Sequence, residues 1–206
     1  MSRFNVTPEG ATAAALTTQY LARLTELFDR VDTAAVAAFV DVLMQARSRG
    51  SQVFFIGNGG SAATAGHFVN DLTIGTRSWS RPFRAVSLAD NVATLTAIAN
   101  DYGYGEVFVS QLKVLMVPDD VVVAISASGN SPNVVSAVRW ANERGGITVG
   151  LTGFDGGELK ALARVAVHVP TRPGEYGPIE DLHLIFNHLV TAYLRAVCGE
   201  TGAAER

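Results

Sequence analysis

Between residues 11 and 49 the apolar positions return every three or four residues: Leu16, Tyr20, Leu24, Leu27 and Val31, then Val36, Phe39, Val40 and Leu43. That period is helical, and the break at Asp32-Thr33 predicts two helices whose apolar stripes serve burial against the domain body or a subunit partner. After Gly50 the pattern changes. Short apolar runs at 53–56, 83–87, 121–126, 147–151 and 165–169 alternate with helical stretches at about 61–74, 91–99, 105–117, 131–144 and 158–163, which is the sequence form of a parallel sheet covered by helices. A last helix is predicted over 178–197, with Pro178 at its first position after Gly177. The expected organisation is one α/β domain: an N-terminal helical segment (1–50), a sheet-containing body (51–198) and a frayed tail (199–206).

Composition narrows the class. With 206 residues, 48% of them hydrophobic, the chain can bury one substantial core. A formal charge of −3 gives no electrostatic footprint for nucleic acid, whose phosphates call for clustered Lys and Arg. Cys198 is the single cysteine, so no internal disulfide can form, and the chain reads as a resident of a reducing compartment. No leader pattern opens the sequence and no apolar stretch has membrane-spanning length. The expectation is a soluble cytoplasmic protein.

Two turns then carry chemistry. Gly57-Asn58-Gly59-Gly60-Ser61 follows the first predicted strand and opens a helix, where glycines let backbone approach a ligand and free N–H groups face an anion. Gly57, Gly59 and Ala62 also satisfy a loose dinucleotide pattern, and a glycine-rich strand-to-helix turn can exist for steric reasons alone. The second turn, Ser126-Ala127-Ser128-Gly129-Asn130-Ser131, stands in the same position after the third run. Three hydroxyls at a helix start suit a phosphate monoester. Neither turn holds Lys or Arg, so the anion would rest on neutral donors and helix dipoles, unlike a Walker loop with its lysine. No acidic residue ends the second strand to read a ribose, because Ser87 stands there.

A third constellation is acidic and imidazole. His67 and Asp71 are four apart on the helix after the first turn and project from one face. Glu180 and His188 are eight apart on the last helix and can point to one side. Together they offer two imidazoles and two carboxylates, a set suited to zinc or a similar divalent ion. Glu180 and Asp181 also fit as ordinary first-turn carboxylates. His168 and His183 read as packing or surface residues.

These motifs, with Ala99-Asn100-Asp101, Leu151-Thr152-Gly153 and Asp155-Gly156-Gly157, resemble in order and spacing the phosphoheptose (sedoheptulose 7-phosphate) isomerases of the SIS-domain superfamily. The resemblance implies a three-layer fold with a five-stranded parallel sheet and N-terminal helices, a homotetramer, and sites near subunit interfaces. It assigns sugar-phosphate contacts to Asn58, Gly59, Gly60, Asn100, Asp101, Ser126, Ala127, Ser128 and Ser131, with Ser61 nearby. It places zinc on His67, Asp71, Glu180 and His188, with Asp71 as base and His188 as partner acid. The implied reaction moves a proton between adjacent carbons through an enediolate, helped by a divalent cation. Three positions depart from the family pattern: Asp71 for glutamate, Glu180 for glutamine and Ala127 for threonine. A second reading stays open, because 96–101 and 155–159 are also similar to the non-catalytic initiator-associating regulators of bacterial DNA replication. A nucleotide-dependent oxidoreductase is a third.

Overall fold

The structure, a computed structural model, describes residues 12–200. Its frame is a five-stranded parallel sheet in the order β2-β1-β3-β4-β5, formed by β1 (Gln52–Gly57), β2 (Arg84–Ser87), β3 (Val121–Ser126), β4 (Ile147–Thr152) and β5 (Val165–His168). Each predicted run became a strand with ends shifted by at most one residue. Two helices precede the sheet, α1 (Ala13–Phe28) and α2 (Thr33–Arg49). The break between them has a local cause: Asp32 accepts hydrogen bonds from the N–H groups of Ala34 and Ala35 and so caps α2. Gly50 ends α2 in the left-handed region at φ 74°.

The crossover helices are α3 (Gly60–Asn70), α4 (Val92–Tyr102), α5 (Val109–Leu115), α6 (Pro132–Glu143) and α7 (Gly157–Leu162), and α8 (Tyr176–Cys198) closes the chain. Alternation along the strands sorts them into layers. Val53, Phe55, Val121 and Val123 face a core shared with α2, α3 and α8, while Phe54, Ile56, Val122 and Ala124 face one shared with α5, α6 and α7. On the first side Phe68 of α3 stacks on Phe55 at 5.1 Å and meets Phe39 of α2 edge-on at 6.0 Å. Truncating such a fully buried ring to Ala costs about 3–5 kcal/mol. This packing fixes α3 and with it the polar residues on its outer face.

Three expectations are corrected. The stretch 105–117 is not one helix but a 3₁₀ turn (Tyr104–Glu106) followed by α5. The helix after the first turn does not stay regular to residue 74: α3 widens into a π-helical turn, Asp71–Gly75, closed by Thr76 N–H donating to Asp71 C=O at 2.9 Å. The last helix begins at Tyr176, two residues early, so Pro178 is its third residue. Proline is tolerated there because first-turn N–H groups lack intrahelical acceptors anyway. The start of α8 is fastened to α1 by a nearly buried pair, Arg23 to Glu175 at 2.8 Å, and by Tyr20 O–H donating to Asp181. Burial pushes the Glu175 carboxyl up, but hydrogen bonds from Arg23 and the Arg172 N–H outweigh it and hold the group below its ordinary range. Burial, then Asp181, raises the Tyr20 phenol.

Of the tail, Gly199 N–H donates to Arg195 C=O at 2.9 Å, and Glu200 N–H to Arg77 C=O at 3.1 Å. The remainder of the stretch expected to fray, 201–206, lies outside the described residues. Among the described residues no helix is long and apolar enough to cross a membrane.

Candidate functional site

Strand order explains where the site lies. From β1 the chain crosses towards β2 and from β3 towards β4, in opposite directions, which leaves a crevice at the carboxyl ends of these neighbouring strands. Gly57 pairs in register with Ile125, so the two predicted turns emerge side by side. A cleft of about 140 Å³ opens between them, lined by Asn58, Ser61, Ser126, Ala127, Ser128, Ser131, Tyr176 and Glu180. Gly57 is required by contact: a Cβ there would stand 2.7 Å from the Ser61 carbonyl oxygen.

The serine turn presents its hydroxyls inwards. Ser126 Oγ accepts from Gly129 N–H at 3.1 Å and lies 3.4 Å from Ser131 Oγ. Ser131 occupies the N-cap position of α6, yet its side chain caps nothing, so its hydroxyl is available to a ligand. The turn is braced by the segment after β4, where Gly153 N–H donates to Ala127 C=O at 3.0 Å and Leu159 N–H to Gly129 C=O at 2.9 Å. The glycine motifs at 151–157 thus support the serine turn. No Lys or Arg lines the cleft; its one carboxylate is Glu180, whose acid form is favoured first by burial and then by Asp181.

Three members of this region were missed: Tyr176, which lines the cleft, and Asn133 and Tyr104, which hold Asn58. The Asn58 side chain does not point freely at a ligand: it exchanges two hydrogen bonds of 2.9 Å with Asn133 of α6, and its Oδ1 also accepts from Tyr104 O–H at 2.8 Å. Asn133 is buried, and an asparagine at the second position of a helix gave no signal. Asn100 and Asp101, assigned by resemblance to the sugar phosphate, lie exposed at the end of α4, pair with each other at 2.9 Å, and do not line the cleft of the single chain.

Beyond the cleft, α3 and α8 bring together His67, Asp71 and His188, each offering one donor atom within 4.8 Å of the others. His67 Nε2 lies 3.3 Å from Asp71 Oδ2, and the two imidazole rings meet edge-on at 5.0 Å. Two imidazoles and a carboxylate, with a position left over, fit the donor chemistry of a catalytic zinc. Glu180, expected as a fourth ligand, is not in this group. His188 of α8 reaches the cluster, whereas Glu180, about two turns earlier on the same helix, lies at the start of α3. The Glu180 carboxylate instead covers the start of α3, where a Cβ on Gly60 would come within 2.5 Å of its Oε2.

Of the remaining histidines, His168 Nδ1 lies 3.0 Å from Thr152 Oγ1, and burial lowers its pKa. His183 is fully buried, with neither ring nitrogen partnered, and burial pushes its pKa from 6.5 to about 4. Both therefore act as packing residues.

The profile of the SIS domain matches residues 19–153, beginning inside α1, so the N-terminal helices belong to the matched unit. The phosphoheptose isomerase of Geobacter metallireducens is 42% identical over 165 residues, covering 80% of this chain and 86% of its own. The chain belongs to the phosphoheptose isomerase family of SIS-domain proteins. Another member, the phosphoheptose isomerase of Mycobacterium bovis, is 41% identical over 169 residues, covering 82% of this chain and 85% of its own. The solved phosphoheptose isomerase structure from Neisseria gonorrhoeae superposes with a TM-score of 0.79 at 32% identity, over 89% of this chain and 96% of that one.

Proposed function

We propose that this protein interconverts sedoheptulose 7-phosphate and an aldoheptose 7-phosphate. Family membership makes it a sugar-phosphate isomerase, and its curated relatives favour the enzyme over a non-catalytic regulator. The observation that carries the finer reading is the placement of two unlike sites on one helix. α3 opens at the cleft between the two turns, and His67 follows Gly60 by seven residues, about 10 Å of helix rise. That separation suits a long acyclic sugar with phosphate and carbonyl at opposite ends.

In this reading the phosphate sits on the Ser126, Ser128 and Ser131 hydroxyls and the start of α6, with Ser61 and Asn58 on the facing wall. Asp71 takes the carbon-bound proton, and His188 shuttles a proton between the adjacent oxygens. His67, Asp71 and His188 would hold a divalent metal, zinc by donor type, which supplies stabilisation of developing negative charge on the sugar oxygen. Asp71 is one methylene shorter than the family's glutamate, so its distance to the carbon must be set by the residues around it. The working form is a homo-oligomer, a tetramer by resemblance. It is supported by α4, which buries none of its residues in the single chain and leaves Val92 and Tyr102 70% and 73% exposed. The single free cysteine supports a cytoplasmic setting.

The test is incubation of zinc-loaded protein with sedoheptulose 7-phosphate, following the aldose product by NMR. Conversion is expected. Absence of conversion with zinc, manganese or cobalt, in protein shown by calorimetry to bind the sugar, overturns the assignment.

A further inference from the structure

Asp71 is held from two sides. Its Oδ1 accepts from the Asn70 amide at 3.0 Å and its Oδ2 from the Asn187 amide at 2.8 Å. The two donors differ in kind. Asn70 is an exposed neighbour in sequence, whereas Asn187 lies on α8 with none of its surface exposed. The orientation of the Asn187 amide is dictated, since a carboxylate offers only acceptors and so must face Nδ2. Its Oδ1 then meets no donor among the described residues, and the same holds for the ring nitrogens of His183 and for Thr191 Oγ1, one turn to either side. A leucine there would bury no unmet acceptor, so packing alone does not account for an asparagine.

The backbone beneath Asp71 is also unusual. Asp71 begins the π-helical turn, and at Gly75, which ends that turn, a Cβ would lie 3.6 Å from both Asp71 Cβ and Thr191 Cγ2. The wall behind the aspartate is therefore α8, and Asn187 is the polar group on that wall that touches it.

We infer that Asn187 is a positioning residue for Asp71. By bonding Oδ2, the oxygen 3.3 Å from His67 Nε2, it fixes the rotation of a short carboxylate and aims it into the three-donor cluster. Polar groups that orient metal ligands from behind typically change metal affinity or activity about 10- to 100-fold when removed. This inference rests on the reading of Asp71 as base and ligand, and the experiment separates the two.

Asp71→Asn tests the parent reading: near-complete loss of turnover and weakened zinc binding are expected, and wild-type turnover would overturn that reading. Asn187→Leu removes the donor and fills the space. It should keep or raise the melting temperature and leave KM within about twofold, while lowering kcat and zinc affinity by about 10- to 100-fold, the latter by calorimetry on metal-free protein. Asn187→Ala removes the donor without adding bulk, should show the same losses, and decides the matter if Asn187→Leu does not fold. In the Asp71→Asn background, Asn187→Leu should add nothing further. If Asp71→Asn is inactive while a folded Asn187 variant keeps kcat and zinc affinity within twofold of wild type, the positioning role is overturned. A full additional loss in the double variant overturns it as well.

Discussion

The cleft and the cluster meet on α3 but are built by opposite means. The cleft is made of turns: its donors are backbone N–H groups, serine hydroxyls and an amide, fixed by strand register and by the brace from the segment after β4. The cluster is made of side chains on two helix faces, and its geometry depends on how α3 packs against α8. A ligand held by turns can be recognised without a buried cation, and the one carboxylate in the lining, Glu180, has its acid form favoured by burial. Chemistry needs groups that change protonation or bind a cation, and those sit where side chains of different elements converge. Binding and turnover should therefore separate under mutation.

The sharpest break expected is His188→Ala, which should lower kcat about 10²- to 10⁴-fold, the usual worth of a positioned acid or base, while calorimetric affinity for the sugar phosphate stays within a few-fold. A comparable fall in affinity would mean the two regions are not independent.

Next in size is a pH effect confined to the helix side. His183 is buried and neutral with a pKa near 4, against 6.5 when unfolded, so between these values the unfolded chain binds the extra proton. Stability is then complete above about pH 6.5 and declines as pH falls towards 4, by an amount on the order of 3 kcal/mol. Urea titrations at pH 7 and pH 5 should show the decline, and His183→Leu should flatten it.

On the cleft side, Ser131→Ala should raise KM about tenfold, about 1.5 kcal/mol, the lower end for one hydrogen bond to a charged group. It should leave kcat and melting temperature unchanged, because this hydroxyl caps nothing. A drop in melting temperature would return Ser131 to a structural role. The smallest effect is salt: KM should move less than about twofold between low and moderate ionic strength, since no Lys or Arg of the lining is there to be screened and the one carboxylate, Glu180, has its acid form favoured.

Legibility in the sequence followed the same division. The turns were visible because glycines and serines after apolar runs report a local requirement, and strand order then placed them together. The pair His67 and Asp71 was visible because helical spacing is local too. Asn187, Asn133 and the exclusion of Glu180 from the cluster were not, since each depends on which helix face meets which neighbour. The π-helical turn left no trace because Asp71-Leu72-Thr73-Ile74-Gly75 contains nothing that distinguishes it from ordinary helix until its final glycine. Asn100 and Asp101 came from resemblance alone, and in one chain they stand apart from the cleft.

The reciprocal amide pair between Asn58 and Asn133 has a mechanical consequence. α3 and α6 leave adjacent strands on opposite faces of the sheet, and hydrophobic contact between their starts would allow them to slide or splay. Two opposed hydrogen bonds of 2.9 Å are directional and resist both movements. The starts of α3 and α6 are thereby pinned at one separation, so the width between the two strand-end turns is set by a polar rivet rather than by packing alone.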